Sequence, residues 1–159
     1  MLGDRIDFMV PAARVLFAAI FVMSAPGHFS GEMMEHAAAH GVPFVEALVP
    51  LSGLLALLGG LSVALGYKAR VGAVMLIAFL VPVTVMMHDF WSVSDQAAAR
   101  LEMVMFMKNV TMLGGALLVL YYGAGPISLD ARAWNRRRRQ TGDLAVARPR
   151  DRSGMVDVA

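Results

Sequence analysis

Cysteine is absent from the 159 residues, which excludes disulfides, thiolate metal sites, iron–sulfur ligation and thiol nucleophiles. Charge is scarce too: Asp, Glu, Lys and Arg make up 16%, against roughly 25% in an ordinary soluble domain. The balance is apolar, at 58% with a mean hydropathy of +0.62, and a soluble domain this short has too little interior to hide it. No dinucleotide fingerprint, phosphate loop or hydrolase triad is present. The basic residues gather near the C-terminus. On a chain this apolar they point to an anionic lipid surface, not to nucleic acid.

What the chain has instead is four long apolar runs. They cover 8–25, interrupted by Arg14; 44–67, with Glu46 near its start; 71–87; and 101–122, with Lys108 inside. Each is about 17–24 residues long, enough to cross a ~30 Å hydrocarbon layer at 1.5 Å per residue. The ~10-residue alternation of a membrane barrel is missing. The fold class is therefore all-α, a polytopic four-transmembrane-helix bundle. Asp4, Arg5 and Asp7 make the start mixed in sign, and Pro26 would follow any cleavage at Ala25. The first run thus reads as a retained helix, not as a signal peptide. Arg14 is expected to snorkel toward headgroups.

Loop charges set the orientation. Lys68 and Arg70 separate the second and third runs, Arg5 precedes the first, and Arg132 and Arg136 to Arg139 follow the fourth. The other two loops hold Arg100 alone among basic residues but carry Glu32, Glu35, Asp89, Asp95 and Glu102. Both termini are expected in the cytoplasm and both acidic loops outside. Residues 1–130 form the transmembrane domain. Residues 131–159 are a basic cytoplasmic tail, helical near Trp134 and disordered from about Gln140.

In the first acidic loop Ser30 is placed to cap a short helix from Gly31 to His40, ended by Gly41. His28, Glu32, His36 and His40 recur every four residues on its polar face. His36 and His40 at that spacing raise the question of a metal, but a full His-Glu-x-x-His pattern is absent and a solvated face is the preferred reading. Leu58-Gly59-Gly60-Leu61 and Leu113-Gly114-Gly115-Ala116 look like a weak internal repeat of close-packing glycines.

The chemistry-bearing residues gather where the third run ends and the fourth begins. His88-Asp89-Phe90-Trp91 leaves the membrane on the outer side, and Lys108-Asn109 lies about two turns down the next helix. An ammonium in a membrane span must be paired or hydrated, and Asp89, Glu46 and Glu102 are the candidate partners of Lys108. Two readings stand: a polar pocket at the outer mouth, or a buried ion pair locking the helices. Phe90 and Trp91 read first as interface-belt aromatics.

Several of these pieces have a familiar order. Ser24 to His28, the double glycine within 53–66, His88-Asp89-Phe90-Trp91, Phe106-Met107-Lys108-Asn109 and Gly123-Ala124-Gly125-Pro126-Ile127-Ser128-Leu129-Asp130 resemble the DoxX family over residues 10–132. Where many relatives end the first helix with Gly and Lys, this chain has Ala25-Pro26-Gly27-His28. The resemblance implies a multi-pass protein of a prokaryotic cytoplasmic membrane, serving as the membrane subunit of a quinone-linked oxidoreductase system. It implies a quinone as non-covalent cofactor, held by Lys108 and Asn109 with Trp91 and Glu46 beside it, while His88 and Asp89 handle protons. Membrane lipid and the proteins of a larger complex are the expected partners, with no nucleic acid. The alternative is a non-enzymatic anchoring or assembly subunit.

Overall fold

The four apolar runs become helices, and among the residues that the computed structural model describes, 7–146, there is no strand. Helix α1 spans Met9–Ser24 and passes into a 3-10 turn, Ala25–Phe29. Pro26 has no N–H to continue the α pattern, so the chain tightens there instead. Helix α2, Gly31–Ala39, follows, and the Ser30 hydroxyl accepts from the Met33 N–H at 3.3 Å, the expected cap. Then come α3, Val45–Leu65; α4, Ala69–Met87; α5, Gln96–Tyr122; and α6, Leu129–Val146. Helix α1 together with its 3-10 turn, Met9–Phe29, and helices α3, α4 and α5 are each long and apolar enough to cross a membrane. Helix α6 runs past Gln140, so the polar tail stays helical further than its composition suggests. Asp4, Arg5 and residues 147–159 lie outside the described residues.

Neighbouring helices pack as antiparallel hairpins, with α3 against α4, α4 against α5, and α1 against α3. The core joins Ala18 and Phe21 of α1, Ala56 and Val63 of α3, Leu76, Phe79 and Leu80 of α4, and Ala116 of α5. Large apolar residues such as Leu16, Met23, Leu118 and Val104 remain exposed around the bundle, which is the surface a lipid environment covers. Small residues set the crossings. A Cβ on Gly72 would meet the Ser62 hydroxyl at 2.5 Å and the Gly59 carbonyl oxygen at 2.9 Å; one on Gly60 would meet Val22 at 3.0 Å. The proposed repeat is unequal. Gly59 and Gly60 are both at contacts, but in the second copy only Gly115 is, against Phe17, while Gly114 has open space.

The two ends of the bundle differ. The acidic end carries α2 and the α4–α5 link. The basic end carries the α3–α4 turn and α6, and it is tied together by polar contacts. Gly66 closes α3 with φ +64, a conformation that glycine adopts without a Cβ penalty. The Asp130 carboxylate accepts from the Lys68 and Ala69 N–H groups at 2.7 and 3.1 Å, capping α4 from a distant part of the chain. Arg14 departs from expectation. It is 6% exposed, and its guanidinium donates to the carbonyls of Ala124 and, at 2.8 Å, Ile127. Carbonyls of the α5–α6 link take up the guanidinium, so the side chain turns inward and does not snorkel.

Candidate functional site

The acidic half of the bundle holds an open-sided cavity of about 560 Å³ between α1, α2, α3, α4 and α5, with Lys108 and Ala78 at its exposed edge. That volume falls within the ~300–1,000 Å³ of small-molecule sites. Its formation follows from the helix contacts. Nearer the basic end the Phe17 ring of α1 lies against Gly115 of α5. Beyond them, Ile20 and Ser24 of α1 face the cavity from one side and Lys108, Asn109 and Met112 of α5 from another. Helix α2 closes it with Met33, His36 and Ala37. Pro82 of α4 lacks the N–H that would bond the Ala78 carbonyl, and both residues line the space. The walls are mostly aliphatic, with methionines 33, 86, 87 and 112 among them.

Its polar groups are few. Asn109 is 5% exposed, lines the cavity, and its amide makes no hydrogen bond within the described residues. Lys108 lines the cavity beside it, and its ammonium lies 3.2 Å from the Met105 sulfur, a weak acceptor. His88 ends α4, with Nδ1 2.8 Å from a Glu102 carboxylate oxygen. His28 sets its Nδ1 3.2 Å from the Ser24 carbonyl and its ring edge-on to Phe79.

The structure therefore brings together three of the six residues expected at the site: His88, Lys108 and Asn109. The other three lie off the cavity lining. Asp89 accepts from the Ser92 hydroxyl in a local turn. Trp91 is 59% exposed and stacks edge-on with Phe90 and Phe106 at 5.1 and 5.9 Å. Glu46 is exposed in the first turn of α3, in a separate shallow hollow with Phe44, Val45 and Ala47. None of the carboxylates expected to pair with Lys108 does so, because Glu102 goes to His88. The cavity also takes in His28, His36 and Phe79, which the readings of the sequence left out of the site. The ring centroids of His36 and His40 lie 4.5 Å apart, and no cluster of three metal-ligating side chains occurs among the described residues.

Comparison with known proteins changes the family. The SURF4 family matches residues 7–135. Inner membrane protein YqjF of Escherichia coli is 31% identical over 126 residues, covering 78% of this chain and 91% of that one. Inner membrane protein YphA of the same organism is 29% identical over 120 residues, 76% and 84% of the two chains. A shorter likeness reaches the ER-derived vesicles protein ERV29 of Saccharomyces cerevisiae, 30% identical over 77 residues, 48% of this chain but 24% of that one. No solved structure matches.

The resemblance to DoxX is thus corrected. Its pieces are the double glycine, the Lys-Asn pair and the Gly-Pro close of the last span. Gly59 and Gly60 serve close helix packing and the Gly-Pro close supplies carbonyls to Arg14, features not confined to one family, and the Lys-Asn pair on the cavity lining did not single one out either. The quinone-linked redox role rested on that resemblance and falls with it. The relatives' names speak of membrane residence and not of electron transfer, and they lend nothing to an anchoring subunit either. The four spans and these relatives make this a multi-pass inner membrane protein. With residues 7–135 matched and YqjF aligned over nearly its whole length, the chain belongs to the SURF4 family.

Proposed function

We propose that this protein is a binding protein of the bilayer, which takes a chain-bearing amphiphile into the cavity of its acidic half and holds it there. The observation that carries this reading is Asn109. The residue is buried, but its amide opens onto the cavity without a hydrogen-bond partner among the described residues, so within a span it is left for a polar group from outside the chain to satisfy. A ligand with a polar head and an apolar chain satisfies the amide and fills the aliphatic walls together. Methionines suit such a site, because their flexible thioethers repack around chains of differing shape.

Ala78→Trp tests it by filling the cavity from α4, where Ala78 lines the space, is exposed and is not itself part of the core cluster. The wild type, purified in mild detergent, is expected to retain about one amphiphile per chain by mass spectrometry of the extract. Ala78→Trp is expected to lose it with no fall in thermal stability. Equal retention by both proteins would reject the cavity as the site.

The reading places the cavity in the outer leaflet, because the basic end is expected to face the cytoplasm. The absence of cysteine makes this measurable without background. A membrane-impermeant maleimide is expected to label Ser94→Cys in intact spheroplasts, and Asn135→Cys only after permeabilisation. The opposite pattern reverses the bundle and moves the cavity to the inner leaflet.

A further inference from the structure

We propose that the amphiphile carries an anionic headgroup, received by the Lys108 ammonium together with the Asn109 amide. This rests on the reading of the cavity as a binding site and adds the ligand's charge. The cavity has four ionisable side chains on its lining, His28, His36, His88 and Lys108, and every one is a base. The acidic end is rich in carboxylates, at Glu32, Glu35, Glu46, Asp89, Asp95 and Glu102, yet none reaches the lining. The sorting by sign is sharp for two groups of residues that share one end of a small bundle.

Lys108 supplies the second argument. A lysine inside a span is paired or hydrated, and this one has no carboxylate partner among the described residues. Glu102, placed by sequence to pair with it, is bonded to His88 instead. The thioether of Met105 is too weak an acceptor to replace an anion. An anion with two oxygens matches the pair: one oxygen accepts from Nζ, the other from the Asn109 amide N–H groups, and charge-assisted bonds of this type are the strong ones. A neutral headgroup would satisfy Asn109 and leave the ammonium as it is. The chemistry is that of a carboxylate or phosphate on an apolar chain, and its source is a free fatty acid or an anionic phospholipid.

Displacement of a fluorescent acyl probe from the full chain in phosphatidylcholine nanodiscs tests this. The competitors share a saturated hexadecyl chain and differ in the head: carboxylate, monophosphate, primary alcohol or trimethylammonium. On the wild type, at least one anion is expected to displace the probe at about ten- to a hundred-fold lower concentration than the alcohol. On Lys108→Met that gap closes, measured against the alcohol on the same variant. On Lys108→Arg it stays. A lead for the monophosphate assigns the head to a phospholipid and a lead for the carboxylate to a fatty acid; either supports the inference. Equal potency of alcohol and anions on the wild type overturns it, as does a gap that survives Lys108→Met. Failure of every competitor, with Ala78→Trp indistinguishable from wild type, removes the binding reading and this inference with it.

Discussion

Replacing Arg14 with methionine is expected to destabilise the protein by about 3 kcal/mol and to free α6 from the bundle. The Ala124 carbonyl is buried, and losing its donor costs about 1–3 kcal/mol; the Ile127 carbonyl is partly exposed and costs less. Methionine fills a similar volume, so the loss comes from hydrogen bonding and not from a cavity. The effect spreads because the neighbouring contacts share residues. Gly66 packs directly against the Arg14 guanidinium and against Ser128, the Ser128 hydroxyl caps α6 through the Ala131 N–H at 3.0 Å, and Asp130 caps α4. Arg14→Lys should fall between the two, since a single ammonium does not present the planar fork that reaches both carbonyls. Unfolding in mixed micelles measures the stability, and trypsin cleavage within 132–139 reports release of α6. A snorkelling arginine would tolerate methionine almost without cost. Unchanged unfolding in both variants would therefore restore that reading and sink this one.

The contrast marks what was legible. The spans read as 8–25, 44–67 and 71–87 became Met9–Ser24, Val45–Leu65 and Ala69–Met87, because hydropathy is a local property and the bilayer fixes the length. The fourth, read as 101–122, begins earlier, at Gln96. Its first turn is polar, and the Asp95 carboxylate caps it through the Ala98 N–H at 2.8 Å. The cap at Ser30 was legible for the same reason. The partners were not. Arg14 bonds to backbone carbonyls, which every residue has, so no residue type announces them. His88 and Asp89 are adjacent in sequence but diverge, because the chain leaves the helix at His88 with φ −131 and ψ 49. One then meets Glu102 across the α4–α5 link, and the other folds back on Ser92. Lys108 and Asn109 were singled out on the cost of polar groups within a span, and both line the cavity. Their shared cavity depends on the gap between α1 and α5, which no single span encodes. The double glycines misled in a different way. Gly59-Gly60 and Gly114-Gly115 look alike as strings, but only packing tells which glycine is needed.

That last distinction carries a prediction of comparable size. Gly72→Ala is expected to destabilise the bundle by about 1–3 kcal/mol, the cost of overpacking a closed interior, whereas Gly114→Ala is expected to be neutral or slightly stabilising. At Gly72 the added Cβ falls 2.9 Å from the Gly59 carbonyl oxygen, which is backbone and cannot rotate away. It also falls 2.5 Å from the Ser62 hydroxyl, which is held by the Tyr67 carbonyl at 2.7 Å and the Lys68 carbonyl at 3.2 Å. Neither obstacle yields without moving α4 off α3 or loosening the turn between them. At Gly114 a Cβ meets nothing within 4 Å, and alanine is the better helix former by about 1 kcal/mol. The consequence reaches the cavity. Helix α4 supplies Ala78, Phe79, Pro82, Val83 and Met86 to its lining, so a shift of α4 at Gly72 changes the shape of a site about 9–21 Å further along the same rigid helix. Amphiphile retention is therefore expected to fall in Gly72→Ala together with thermal stability, and to hold in Gly114→Ala. Stability and retention measured on the two purified variants decide it. A Gly72→Ala protein as stable as wild type would mean that the α3–α4 crossing is not as close as the Gly59–Gly72 contact requires.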